Sequence, residues 1–343
     1  MNPKFKKIAI GIVAVGFLAA LVVFVKFFTN NTQSKDEFYV KIPTGATYQD
    51  VEKILKPYVK NWSDFETIAK LRKYPDHVKS GRFVFKNGMS AFQQVSSLRH
   101  NMPVQLAFNN QERMENIAQR IAQEIEADST SIMAAVNDSV FLNKNHFTKE
   151  TVMAIFIPNS YEMYWNTSAV KLRDKMLDEY TKFWNTERLA KAKKLNLTPQ
   201  EVVTLAAIVH KESVKKDERP KIARVYLNRL EQGMPLQADP TVIYSEKLKD
   251  NDFNQVIKRV IPEILRNNTP YNTYVNLGLP PGPIAMPDID AIDAVLNPDA
   301  NDYLYFCASV DRFGYHDFAS TYEQHQLNAK KYTDWLNQQG IKK

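Results

Sequence analysis

The chain has 343 residues, 44% of them hydrophobic, with 45 Lys and Arg against 38 Asp and Glu for a net charge of +7, six His and one Cys. That length and apolar content support roughly two or three domains with real cores. The charge excess is mild and no Arg-rich or aromatic-interleaved block accompanies it, which argues against a nucleic-acid binder. Cys307 stands alone and excludes an intrachain disulfide, and the scattered histidines, with no His-Glu-x-x-His, argue against a zinc hydrolase.

The N-terminus carries Lys4, Lys6 and Lys7 ahead of an apolar run over residues 8–28, broken only by Lys26. As a helix the run would span about 31 Å, close to the hydrocarbon thickness of a bilayer, with Lys26 placed to snorkel. A cleavable signal peptide has similar regions, but this run is long for one and Thr29-Asn30-Asn31-Thr32 offers no small-x-small cleavage pattern. The expectation is a single-pass membrane anchor, residues 8–28. The lysines keep a short tail, residues 1–7, in the cytoplasm and leave the remainder extracytoplasmic.

Residues 29–37 are polar and short and read as a tether. Phe38-Tyr39-Val40-Lys41-Ile42 alternates like a strand, and Pro43-Thr44-Gly45 forms a turn. Thr47 caps a helix with Val51, Ile54 and Leu55, and a second helix follows near residues 62–71. A strand over residues 81–85, a turn at Asn87-Gly88 and a helix with Phe92, Val95 and Leu98 complete a small αβ unit, residues 38–102.

The remainder, residues 103–343, reads as a larger mixed α+β domain. Val104–Phe108 alternates as a strand, Arg113–Ile125 is helical, and the helices within 169–194 carry lysines on a solvated face. The next helix has complete start signals: Thr198 as N-cap, Pro199 at the first position and Glu201 closing a capping box. Val202, Leu205, Ala206 and Val209 form its apolar stripe, and Glu212 falls where another apolar residue belongs. A carboxylate among apolar side chains has its charged form disfavoured, which suits a general acid. The bland alternative lets Glu212 swing into solvent beside Lys211, Lys215 and Lys216.

After a helix over residues 221–231 and a stop at Gly233, residues 234–244 and 269–287 are dense in Pro, Gly and Asn and read as loops. Cys307, within Tyr305-Phe306-Cys307-Ala308, reads as a buried strand residue. His210-Lys211-Glu212 matches half of a nucleobase-deaminase signature, but the paired cysteines it needs do not exist.

Five segments, in order, resemble the endolytic murein transglycosylases, the MltG or YceG-like family of membrane-anchored cell-wall enzymes. They are His210-Lys211-Glu212-Ser213, Asn228-Arg229-Leu230, Leu236-Gln237-Ala238-Asp239-Pro240-Thr241-Val242-Ile243-Tyr244, Tyr271-Asn272-Thr273-Tyr274 and Gly278-Leu279-Pro280-Pro281-Gly282-Pro283-Ile284. Echoes at Phe156–Tyr161, Tyr305-Phe306, His316-Asp317-Phe318 and Glu323-Gln324-His325 extend the likeness over roughly residues 38–330. Three positions depart from the family pattern: His210 stands for Glu, Ser213 for Thr and Ala238 for Thr. The resemblance makes Glu212 the catalytic acid and residues 38–102 a LysM-like domain, for which glycan contact and a purely structural role are both open.

The resemblance implies a lyase that cuts the β-1,4 bond between N-acetylmuramic acid and N-acetylglucosamine in nascent peptidoglycan strands, leaves 1,6-anhydro ends and terminates elongation. It implies no cofactor or metal, and as partners glycan strands, the membrane and peptidoglycan synthases. Candidate substrate-binding residues are Ser213, Gln237, Asp239, Tyr244, Asn272, Thr273 and Tyr274, with Tyr244 and Tyr271 able to stack on sugars. Asp239 could instead bond its own turn, Arg229 favours a structural role, and Pro280-Pro281-Gly282-Pro283 shapes the groove wall. A hydrolytic muramidase pairing Glu212 with Asp239, and a catalytically silent wall-binding scaffold, are the alternatives.

Overall fold

The computed structural model describes residues 3–108, 110–257 and 260–339. Met1 and Asn2 of the expected tail, and the side chains of Lys4 and Lys26, lie outside the described residues. The chain divides into two compact units. One holds the residues up to Leu106 together with Ala122–Ala127 and Tyr161–Ser168, and the other holds Ala107–Ile121, Asp128–Ser160 and everything from Ala169.

In the first unit, helix α1 (Pro3–Phe28) contains the stretch Phe5–Val25, exposed throughout and long and apolar enough to cross a membrane. Strand β1 (Phe38–Ile42), helices α2 (Tyr48–Leu55) and α3 (Trp62–Leu71), strand β2 (Gly81–Phe85) and helix α4 (Ala91–Ser97) follow. β1 and β2 pair antiparallel, Phe38 opposite Phe85 and Ile42 opposite Gly81. Period-two alternation sends Val40, Ile42, Phe83 and Phe85 inward, onto Val51 and Leu55 of α2, Phe65 and Ile68 of α3 and Val95 of α4. Each such buried side chain contributes about 2 kcal/mol. Thr47 closes a capping box with Asp50, so the start of α2 is set locally.

The segment expected as a tether is packed into this unit. Asn31 and Thr32 are buried, and Asn31 donates from its backbone to Met89 O at 2.8 Å and from Nδ2 to Gln94 Oε1 at 3.1 Å. Gln94 in turn donates to Thr32 Oγ1 at 3.2 Å. These polar side chains were legible as polar; that they satisfy one another inside the fold was not.

Strand β3 (Pro103–Phe108) pairs with β4 (Asn159–Tyr164). Between them lie α5 (Met114–Ala122), α6 (Ser129–Val136) and α7 (Ser139–Lys144), and α8 (Ala169–Phe183) and α9 (Thr186–Lys194) follow. The second unit is organised around α10 (Pro199–Glu212), which packs against α9, α11 (Arg219–Glu231), α12 (Asp239–Lys249) and α13 (Ile289–Leu296). Strands β5 (Tyr305–Ala308) and β6 (His316–Ala319) pair antiparallel, and α14 (Tyr322–Gln338) lies against both. The architecture is mixed α+β.

Two expectations change here. Residues 239–244 are helical: Asp239-Pro240 opens α12, because proline's fixed φ suits the first helical turn as well as it suits a loop. Cys307 sits in a strand as expected but is half-buried. Gly233, with φ +65°, ends α11 in a Schellman arrangement, Met234 N donating to Arg229 O at 2.9 Å and Gly233 N to Leu230 O at 3.1 Å.

Candidate active site

The capping box at Thr198 forms as read: Glu201 N donates to Thr198 Oγ1 and Thr198 N to Glu201 Oε2 at 2.7 Å. Every residue from 202 to 209 is buried, so α10 is enclosed on all sides rather than along one stripe. Its final residue, Glu212, is half-buried where the helix emerges from that enclosure. The three lysines that could have drawn it into solvent are engaged elsewhere. Lys211 pairs with Glu112 at 3.0 Å, Lys216 with Asp290 at 2.6 Å, and Lys215 lies over the Tyr315 ring.

Glu212 lines two cavities. Burial pushes its pKa up to about 7, and the neighbouring Asp239 charge pushes the same way. A hydrogen bond from Tyr226 and the charges of His316 and Arg229 oppose the rise without cancelling it. The Tyr226 hydroxyl, buried on α11, donates to Glu212 Oε1 at 2.5 Å. With Oε1 accepting, Oε2 is the oxygen free to carry the proton.

Six residues on, Glu218 is fully buried and behaves oppositely. Burial alone would raise its pKa, yet hydrogen bonds from the His316 side chain and backbone, the His316 charge and Ser213 hold it below the usual carboxylate range. His316 Nδ1 and backbone N each lie 2.8 Å from a Glu218 oxygen, and Ser213 Oγ lies 3.3 Å from Oε2. Arg219 Nε donates to Ser213 O at 3.1 Å, and its guanidinium meets Asp290 at the start of α13. The turn after Glu212 is thereby pinned from two directions.

Two cavities meet at Glu212. One, of about 250 Å³, is lined by Tyr226, Arg229, Gln237, Asp239, Tyr274 and Phe306 among others. The second, of about 340 Å³, runs along Ser213, Val214, Phe313, Tyr315, Tyr332 and Trp335. Glu212, Ala308 and His316 line both, so they mark the boundary between the two. A larger cavity of about 810 Å³ lies at the opposite end of α10, beside Thr198, Pro280 and Pro281. Its carboxylates, Glu201 and Glu231, are committed to the capping box and to Arg224. Pro280 and Pro281 therefore border that remote cavity rather than the wall beside Glu212.

The expected binding residues separate into two groups. Ser213, Gln237, Asp239 and Tyr274 line the cavities at Glu212. Gln237 has φ +50°, and Asp239 Oδ1 accepts from the Tyr274 hydroxyl at 2.6 Å, so its side chain bonds across to another loop rather than to its own turn. Asn272 and Thr273 are instead buried behind the wall: Asn272 Nδ2 donates to Leu265 O and Asn267 O, and Thr273 Oγ1 accepts from Ala238 N at 3.0 Å. Tyr244 packs on Tyr271 at 4.8 Å and on Phe253, away from Glu212. The structure does not bring Tyr244, Asn272, Thr273 or Tyr271 into the lining of either cavity at Glu212. Arg229 binds backbone oxygens of Leu304 at 2.6 Å and Leu236 at 2.8 Å, a structural role. His210 lies 3.4 Å from Asp288 and is absent from the causes of the Glu212 shift.

Tyr226, Glu218, Tyr332 and Trp335 were not singled out by sequence. Tyr226 was legible only as an inward-facing residue of its helix, and His316 only through the His316-Asp317-Phe318 echo. Among the described residues, no cluster of three or more His, Cys, Asp or Glu could hold a metal ion.

The sequence pattern of the YceG-like family matches residues 40–331. The chain is 30% identical over 329 residues to the endolytic murein transglycosylase of Bacillus subtilis (strain 168), covering 89% of this chain and 87% of that protein. It is 27% identical over 339 residues to the endolytic murein transglycosylase of Streptococcus pneumoniae serotype 2 (strain D39), covering 89% of this chain and 60% of that one. It also resembles the 2.6 Å crystal structure of a yceG-like protein from Listeria monocytogenes, with a TM-score of 0.56 and 25% identity over 86% of this chain and 99% of that one.

Proposed function

Because this chain belongs to the YceG-like family, we propose that it acts on peptidoglycan as an endolytic murein transglycosylase, a lyase, with Glu212 as its acid. The observation that carries the reading is a half-buried carboxyl, its pKa raised to about 7, that opens on two cavities. Such a group is a sizeable fraction protonated at neutral pH, as general acid catalysis requires.

In this reading Glu212 gives its proton to the glycosidic oxygen of a β-1,4 bond between N-acetylmuramic acid and N-acetylglucosamine as the C1–O4 bond breaks. Positive charge develops on the muramyl ring, and the Asp239 carboxylate beside Glu212 favours it. Tyr226, already donating to Oε1, steadies the glutamate anion that results. That anion takes the proton of the muramyl C6 hydroxyl, whose oxygen closes on C1. One bond breaks, one forms, the proton returns to Glu212, and no water is consumed. The nucleophile is part of the substrate, which removes the cost of capturing a second reactant.

In the same reading α1 is the single-pass anchor and the chain beyond it is extracytoplasmic; residues 38–102 are the LysM-like domain of the family pattern, and cutting nascent strands beside their synthases would end elongation. The test incubates the full chain in detergent micelles with uncrosslinked glycan strands and weighs the products. Internal fragments lighter by one water, absent with Glu212→Gln, support the reading. Ends carrying the whole water would make Asp239 the second carboxylate of a hydrolase. Glycan binding with no cleavage by a folded chain would make it a scaffold.

A further inference from the structure

The two cavities that meet at Glu212 differ in kind. The smaller carries Arg229, Gln237, Asp239 and Tyr274, groups with charges or hydrogen bonds to offer. The larger is walled by Val214, Phe313, Tyr315, Tyr332 and Trp335. Phe313 is 90% exposed and Val214 84% exposed, although each sits at the edge of that hollow. Helix α14 has no buried residue, yet it presents Tyr332 and Trp335 there, their rings 6.0 Å apart and inclined by 22°. Large apolar side chains gathered on a concave surface without being buried mark a place where something else is bound.

Resting on the proposed reading, we infer that this second cavity is the subsite for the leaving part of the glycan, with Tyr332 and Trp335 as its stacking surface. Glu212 sits at the junction of the cavities, so the bond it protonates lies there, and the sugars on its two sides occupy different hollows. Electrostatics decides which goes where. The ring that becomes cationic belongs beside Asp239, in the polar cavity. The departing N-acetylglucosamine and the sugars beyond it carry no developing positive charge. They present the C–H faces of pyranose rings, which pack on aromatic faces, while their hydroxyl rims stay wet. Lys211 at the same wall pairs with Glu112 through one N–H and has further ammonium donors for N-acetyl or carboxylate groups. His316, fixed by Glu218, divides the two subsites.

The inference gives the C-terminal helix a part in substrate selection: long leaving groups gain contact with it and short ones do not. The test compares the full chain with Tyr332→Ala, Trp335→Ala and Trp335→Phe in detergent micelles, using glycan strands labelled at the reducing end. Both alanine variants should raise KM by about tenfold, the size of effect expected from losing one such aromatic contact, with kcat little changed. Their labelled fragments should be shorter than those of the wild type, and Trp335→Phe should restore most of the affinity. Unchanged KM and fragment lengths in folded alanine variants would overturn the subsite. Titrating tetra-N-acetylchitotetraose onto Glu212→Gln, with and without Trp335→Ala, decides the matter separately from catalysis. Weaker binding with the alanine supports the subsite even if the wild type forms no anhydro ends, an outcome that would sink the transglycosylase reading alone. Equal binding overturns the subsite.

Discussion

Glu212 and Glu218 are six residues apart, at the end of one helix and before the start of the next, and both lose hydration in the fold, yet their protonation is driven in opposite directions. Around Glu212 burial dominates, and the Tyr226 hydroxyl that donates to it is neutral. Around Glu218 a histidine side chain, a backbone N–H and a serine hydroxyl more than offset the same penalty. Enclosure therefore does not make a carboxylate an acid. What matters is whether the surroundings supply donors to its charged form.

The hardest blow to that comparison is to remove the proton. Glu212→Gln should lower the rate of anhydro-end release by roughly a thousandfold or more, measured by mass spectrometry of the products, with the fold intact. Glu218→Gln should act through structure instead. It leaves His316 without its anionic partner, costs about 2 kcal/mol in urea unfolding and lowers activity by about tenfold, because the boundary between the two cavities loosens.

The pH dependence separates the two glutamates by sign. In the proposed reading Glu212 acts in its protonated form, so activity should fall as pH rises through about 7 and approach a tenfold loss per unit above it. Its folded pKa is raised, so its favourable contribution to stability is present below about 4.5, the unfolded value, and is lost as pH rises through about 7. Glu218 has a lowered folded pKa, so its contribution is present above the ordinary carboxylate value and is lost as pH falls. Thermal melts should show Glu212→Gln gaining on the wild type at pH 8, by about 2 kcal/mol, and Glu218→Gln losing most ground there. A common slope for both variants would break the comparison.

The smallest expected effect sharpens it. Tyr226→Phe removes the hydrogen bond that opposes the rise of Glu212, so the alkaline fall in activity should move to higher pH while stability drops by about 1 kcal/mol. A shift to lower pH would mean that Tyr226 favours the neutral acid.

Much of this was legible beforehand, and the reasons are local. Thr198, Pro199 and Glu201 announce a helix because capping satisfies amides within three residues, and those bonds form. β1 and β2 appear where alternation placed them, since period-two burial is a property of a strand and one face. Other positions were less legible because one residue type serves two ends. Asn272 and Thr273 have donors and acceptors suited to sugar, but those atoms are already taken by loop backbone and by Ala238. Asp239-Pro240 suits a turn and a helix start alike, and α12 is the outcome. The polar stretch holding Asn31 and Thr32 resembled a free tether, and the fold supplies its hydrogen-bond partners from Gln94 and Met89, more than fifty residues away.

By itself the sequence determined the apolar N-terminal helix, the capped helix ending at Glu212 and the ordered motifs of the family. Each depends on neighbours within a few positions or on residue identity alone. Only the tertiary structure decided that the pKa of Glu212 is raised while that of Glu218 is lowered, that Tyr226 and His316 flank Glu212, and that the aromatic end of α14 borders the same cleft. Desolvation and hydrogen bonding depend on what packs around a group, and His316 reaches Glu218 across 98 positions of chain.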